Sequence, residues 1–288
     1  MSKFEKINHH YVPQHWQRGF RGSNGHLYGK FHDGIRVVSP RTIMQEDYLY
    51  TVFDSQWSPS DSLEDALSAV EAQDAGLFQR LHNPSHTCTA DDRDNLCAAL
   101  ALQATRHPDI LRRGGRRSRE LGAALASAHD YSLDEFQSMM AGFAVGESDA
   151  HDLYIVLRSR SREQLAGELA EMNGLSPQSV ELPEQDALRA MPYVEHRLQQ
   201  MELWLLDAPV TESFVLGDTP LPQSDLQLGF SVPLSRSLAV LALPPSATST
   251  FLSRRTATIT EVFSINRTQA DNALHVVVGP SAAVLSAL

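Results

Sequence analysis

The apolar residues of this 288-residue chain change period twice, and that change limits its architecture more than any motif does. From Ser62 onward, Leu63, Leu67, Val70, Leu77, Phe78 and Leu81 recur close to one stripe, as in a helix that buries one face. Earlier, Leu27-Tyr28-Gly29-Lys30-Phe31 and Ile35-Arg36-Val37-Val38 flank His32-Asp33-Gly34. Asp-Gly between two β-prone runs predicts a hairpin. After Asp207-Ala208-Pro209 the strand pattern returns in Phe214-Val215-Leu216, Leu226 to Val232 and Leu238 to Leu243, broken by Pro and Gly.

Between these flanks the spacing predicts a run of helices. Ser62 is the expected cap of the first and Thr89 of the second, which runs to Arg106 before Pro108. Further helices are expected at 110–128, 133–143, 149–159, 162–172 and 184–206, and a late one from Asn266 to Leu274 before a strand at 275–279. The expected fold class is α+β and predominantly helical. An N-terminal β-hairpin at 27–38 and strands within 210–280 would complete one small sheet beside a helical core of about 62–207. Neither a repeat nor a low-complexity linker interrupts the chain, so a single domain over 1–288 is expected.

Composition narrows the class. With 42% hydrophobic and 20% charged residues the chain can bury a core. The basic N-terminal residues are followed by no apolar stretch of a secretory signal, and no apolar run approaches the ~20 residues of a membrane span. Cys88 and Cys97 are the only cysteines and read as reduced thiols, so a cytoplasmic protein is expected. The net charge of −11 argues against nucleic acid as a partner, since phosphate contacts need a positive face. The phosphate loop, serine elbow, His-Glu-x-x-His and Cys-x-x-Cys signatures are absent.

Five segments carry a resemblance to a known family. They are His10-Tyr11-Val12-Pro13-Gln14 with Arg18 and Phe20; the Glu64 to Leu81 stretch; Leu102-Gln103-Ala104-Thr105-Arg106-His107-Pro108; Phe214-Val215-Leu216-Gly217-Asp218-Thr219-Pro220 with Val232-Pro233-Leu234-Ser235; and Asn266 to Ala273. Together they resemble the bacterial domain of unknown function 4238 family. Gly19 and Gly217 depart from its pattern, which more often has Asn and Ser there. The resemblance implies a shared fold and recurring polar positions, and no activity.

His10, Arg18, Arg106, Asp218 and Asn266 lie in those segments among apolar neighbours and are the candidate site. If they converge, His10 and Asp218 would be the catalytic acid–base pair, and Arg18, Arg106 and Asn266 would bind ligand. The plainer reading is a buried ion pair and a Gly217-Asp218-Thr219-Pro220 turn. His9, His10 and His15 form the densest histidine cluster, but a spacing of five between His10 and His15 is poor for one helix face, so no metal set is expected. Arg112, Arg113, Arg116, Arg117 and Arg119 read as a solvated helix face, because no aromatic residues interleave to stack bases.

Two functions are expected from this. The leading one is a binding protein of a bacterial conflict or defence system that neutralises a protein toxin, an acidic surface meeting a basic partner. The alternative is a metal-assisted hydrolase or nuclease built on His10 and Asp218, with Arg18 and Arg106 holding a phosphate or carboxylate. The residues name no cofactor and leave open whether the chain is an enzyme.

Overall fold

The computed structural model describes residues 6–53, 59–143, 145–171, 188, 190–222, 226–244 and 252–288, without the side chains at 52–53, 59, 113–119, 170–171 and 227. The fold is α+β and mainly helical. The chain divides into two compact units, one of residues 1–51, 60–108 and 190–288, the other of 52–59 and 109–189. Among the described residues no helix is long and apolar enough to cross a membrane.

The first unit starts with β1 (Asn8–His10), α1 (Gln14–Arg18), β2 (Leu27–Phe31), β3 (Gly34–Val38) and β4 (Gln45–Asp47), followed by α2 (Ser62–Leu81) and α3 (Ala90–Thr105). Strand β1 pairs antiparallel with β4, and β2 with β3. Phe31 opposes Gly34 across the predicted hairpin. Gly34 takes φ +138° there, a conformation that side chains disfavour and glycine tolerates.

Late strands do complete a sheet with the hairpin, in the order β3, β2, Val277–Gly279, Leu216–Gly217. The other late strands build a second four-stranded sheet. Its order is Leu252–Thr256, Glu202–Asp207, Leu238–Leu243, Phe230–Ser235, with the first pair parallel.

The helix expected to reach Leu206 instead ends at Gln199, having begun at Met191, and Glu202–Asp207 is a strand; residues 184–187 and 189 lie outside the described residues. Leu203, Leu205 and Leu206 are fully buried because the strand has neighbours on both sides. A run as short as Leu203-Trp204-Leu205-Leu206 does not separate a strand from a helix by its pattern alone. The late helix begins at Ile259, earlier than expected, at a capping box of Thr258 and Glu261. Thr89 caps α3 through a capping box with Asp92, as expected, whereas Asp61 and not Ser62 occupies the cap position of α2. Pro108 opens the next helix, Pro108–Ala126, where its missing N–H costs nothing.

The core of the first unit joins Val12, Trp16 and Phe20 to Leu96 and Leu100 of α3 and to Leu203, Leu205 and Val240 of the second sheet. Each such side chain contributes roughly 1.5–3 kcal/mol by burial. Trp16 also donates its indole N–H to the Pro233 carbonyl over 2.9 Å. Residues 12–20 are thereby tied into the core.

The second unit has its own core of Leu125, Ala128, Phe136, Met140, Leu157, Leu165 and Leu169. Its helices include Leu133–Ala141, which opens on a Ser132–Glu135 capping box, then Glu147–Arg158 and Arg162–Glu171. In the basic run, Arg112 pairs with Asp109 at 3.2 Å. The side chains of Arg113, Arg116, Arg117 and Arg119 lie outside the described residues.

Candidate functional site

Two polar residues one turn apart, Gln103 on α3 and Arg106 at its C-cap, fix the N-terminal segment by its backbone. Gln103 donates to the Tyr11 carbonyl over 2.9 Å, and Arg106 donates through Nη2 to the His10 carbonyl over 2.6 Å. The guanidinium of Arg106 is almost wholly buried, at 1% exposure. Its Nη1 pairs with Glu71 of α2 at 2.8 Å, and its Nε donates to the Tyr50 hydroxyl, which in turn donates to the Arg106 carbonyl. Each guanidinium nitrogen is thus occupied. Arg106 anchors the site rather than facing a ligand.

Above this anchor lies a cleft of about 350 Å³ between the N-terminal segment and α2. His10, Gln14, His15 and Arg18 line it from one side, and Glu64, Ser68 and Glu71 from the other. The expected weakness of the His10–His15 spacing does not apply, because His10 sits on β1 and His15 on α1. The turn at Pro13 brings both to the same cleft.

The electrostatics of the cleft follow from burial. His15 is pushed down to about 4 by loss of solvent, with Glu71 opposing the shift and Arg106 and Arg18 reinforcing it. Burial also lowers His10, against a hydrogen bond to the Pro40 carbonyl. Both rings are therefore neutral at neutral pH. Glu64 is driven the other way, to about 7, because burial disfavours its charge more than Arg106 favours it. Nε2 of His10, Nε2 of His15 and Oε2 of Glu64 are each buried without a hydrogen-bond partner. His9 faces the interior: its Nδ1 accepts from the Tyr50 amide at 2.7 Å and its ring stacks on Tyr50, while its Nε2 is also buried without a partner.

Asp218 and Asn266 sit in a different constellation, built on the same device. From the Ile259–Asn272 helix, Asn266 accepts from the Val215 amide and donates to the Ser213 carbonyl. One turn on, Gln269 accepts from the Gly217 amide and donates to the Pro220 carbonyl. Asp218 is fully buried, and its carboxylate accepts from the amides of Leu274, His275 and Val276. Of the five expected residues the structure brings His10, Arg18 and Arg106 together, while Asp218 holds the chain leaving the late helix and Asn266 ties that helix to Ser213 and Val215.

The five family-like segments thus dock in two groups, the first three around Arg106 and the last two around Asn266 and Gln269, and a family match runs over residues 8–282. The chain belongs to the DUF4238 family. Its members are described as proteins of unknown function. No curated protein and no solved structure matches the chain.

Within this DUF4238 fold the residues that sequence reasoning passed over are Glu64, Glu71 and Tyr50. Glu64, Ser68 and Glu71 recur at helical spacing on α2, a polar stripe that reads as an ordinary solvated face. The signal available was the density of acid on that stripe opposite a histidine-rich segment.

Proposed function

We propose that this protein is a hydrolase of small anionic substrates, working by proton transfer in the cleft between the His10–Arg18 segment and α2. The observation that carries this reading is the set of three buried polar atoms, on His10, His15 and Glu64, that have no partner although their residues line one cleft. Each such atom costs about 1–3 kcal/mol when left unpaired, and a ligand that brought hydrogen-bonding groups would recover it. Glu64, poised at about 7, holds a proton that it can give at neutral pH, and the neutral imidazoles can accept one.

In the proposed reaction a histidine takes a proton from water as the water oxygen bonds to the ester centre. Glu64 gives its proton to the oxygen that departs. Arg18, at the edge of the cleft, supplies the charge that favours an anionic substrate. The step uses side chains alone, and among the described residues no group of three or more His, Cys, Asp or Glu side chains is placed to hold a metal ion. Glu64 takes the carboxylate role expected of Asp218.

The test is turnover of a panel of phosphate and carboxylate esters by the full chain and by Glu64→Gln. The variant is expected to lose about 10²–10⁴-fold in kcat with KM little changed, the usual range for one acid–base group. Equal turnover by variant and parent, or a parent inert to the whole panel, would reject the reading.

The net charge of −11 favours a second reading, a binding protein that neutralises a basic protein toxin in a conflict system. Both readings place the protein in the cytoplasm. Recovery of a basic partner at near one-to-one ratio from host lysate, by a chain inert to the ester panel, would favour the second over the first.

A further inference from the structure

A second cleft, of about 430 Å³, is lined by Arg18, Arg21, Ser39, Pro40 and Arg41. No carboxylate lines it. That is unusual in a chain of net charge −11, where the exposed Arg36, Arg160, Arg162 and Arg267 each hold a carboxylate. Among the described residues Arg18 has only the Gln14 amide oxygen as a side-chain partner, and neither Arg21 nor Arg41 has a carboxylate partner. Guanidinium groups crowded in one concavity repel one another, and an anion relieves that repulsion while meeting their planar donor forks.

The backbone around the three arginines is fixed. Arg18 ends α1, whose Trp16 is hydrogen-bonded to Pro233. Arg21 follows the fully buried Phe20, and its amide donates to the Arg18 carbonyl. On the facing loop the Arg41 amide donates to Ser39 Oγ, and the Thr42 amide and hydroxyl both donate to the Ser39 carbonyl. Such anchoring spares a bound ligand the entropy of ordering the loop.

The two clefts are linked. Arg18 lines both, and Pro40, which lines the arginine cleft, accepts through its carbonyl a hydrogen bond from the ring of His10.

We propose that Arg18, Arg21, Ser39 and Arg41 form a subsite for the pyrophosphate-like end of a small phosphorylated molecule, placing its ester next to His10 and Glu64. Three guanidinium groups match the several charges of a diphosphate better than the single charge of a carboxylate. The subsite deepens the hydrolase reading and rests on it for its role, although anion binding itself does not.

The experiment is calorimetric titration of inorganic pyrophosphate into the full chain, into the double variant Arg21→Ala/Arg41→Ala and into Glu64→Gln, at one fixed ionic strength. The parent is expected to bind one equivalent, and the double variant at least tenfold more weakly with an unchanged melting temperature, because both arginines are exposed. Arg21→Lys/Arg41→Lys is expected to fall between, keeping the charge and losing the fork. Equal affinity in parent and double alanine variant overturns the subsite. So does displacement of pyrophosphate by a single-stranded oligonucleotide at the same phosphate concentration, which would mark a surface that tracks a nucleic-acid backbone. Arginine-dependent pyrophosphate binding in a chain inert to every ester would uphold the subsite and remove the hydrolase. Ester turnover that depends on Glu64 but not on Arg21 and Arg41, with no pyrophosphate binding, would do the reverse.

Discussion

Nη1 of Arg106 stands 2.8 Å from Oε1 of Glu71, while Nη2 of the same guanidinium holds the His10 carbonyl at 2.6 Å. One buried cation therefore sets the distance between the two walls of the cleft, β1 on one side and α2 on the other. Removing Glu71 leaves that cation without its counter-charge. Glu71→Ala is expected to lower stability by about 3 kcal/mol, the low end for breaking a buried pair, seen as a lower urea midpoint. A midpoint within error of the parent would mean that the pair contributes nothing net.

The pH dependence of stability carries opposing contributions from the cleft. Between about 4.5 and about 7 the folded chain keeps the Glu64 proton that the unfolded chain has released, so stability falls as pH rises. Asp74, raised by burial and by Glu71 to about 6, acts in the same direction over a lower window. His15 acts oppositely: the unfolded chain holds its proton up to about 6.5 while the folded chain gives it up near 4, so stability rises with pH over that range. Thermal melts should therefore show Glu64→Gln gaining more over the parent at pH 8 than at pH 5. His15→Gln should show its larger gain on the acid side. Gains independent of pH would refute the assignment.

Asp218→Asn is expected to act on stability and not on the cleft. The substitution puts a donor where amides from Leu274, His275 and Val276 require an acceptor, at a cost of about 2 kcal/mol or more. Hydrogen exchange at those three amides is the direct readout. Unchanged protection there, together with lost ester turnover, would return Asp218 to the acid–base role expected from sequence.

Gly217 is required by a close approach. A Cβ on it would meet the Gln269 carbonyl oxygen at 2.6 Å, and that carbonyl belongs to the backbone of the late helix. Gly217→Ser, the residue more usual in the family pattern, is expected to cost about 1–3 kcal/mol through overpacking. A melting temperature equal to the parent's would show that the helix can withdraw.

Much of the fold was legible in local chemistry. The Asp33-Gly34 hairpin and the Thr89 cap are written in neighbouring residues, and both occur as expected. Glu202–Asp207 was not, because the short apolar run Leu203-Trp204-Leu205-Leu206 fits a buried helical turn as well as a strand, and only its partners decide. The site was half legible. His10, Arg18 and Arg106 were found through unusual polar residues in apolar surroundings, but nothing in the order of the chain distinguishes Arg106, which binds three protein groups, from Arg18, which faces two clefts. Glu64 and Glu71 belong to the site only because α2 is placed opposite β1, a long-range fact that no local pattern carries.

The pairing of Lys30 with Val277 also has a consequence for biosynthesis. The hairpin leaves the ribosome early, yet the neighbour that covers its β2 edge emerges only after the helices and the second sheet have been made. Until then β2 presents free amides and carbonyls to any extended peptide nearby. The nascent protein is thus expected to need shielding of that edge, and a release of the chain short of Val277 would leave a product prone to stick to its own kind.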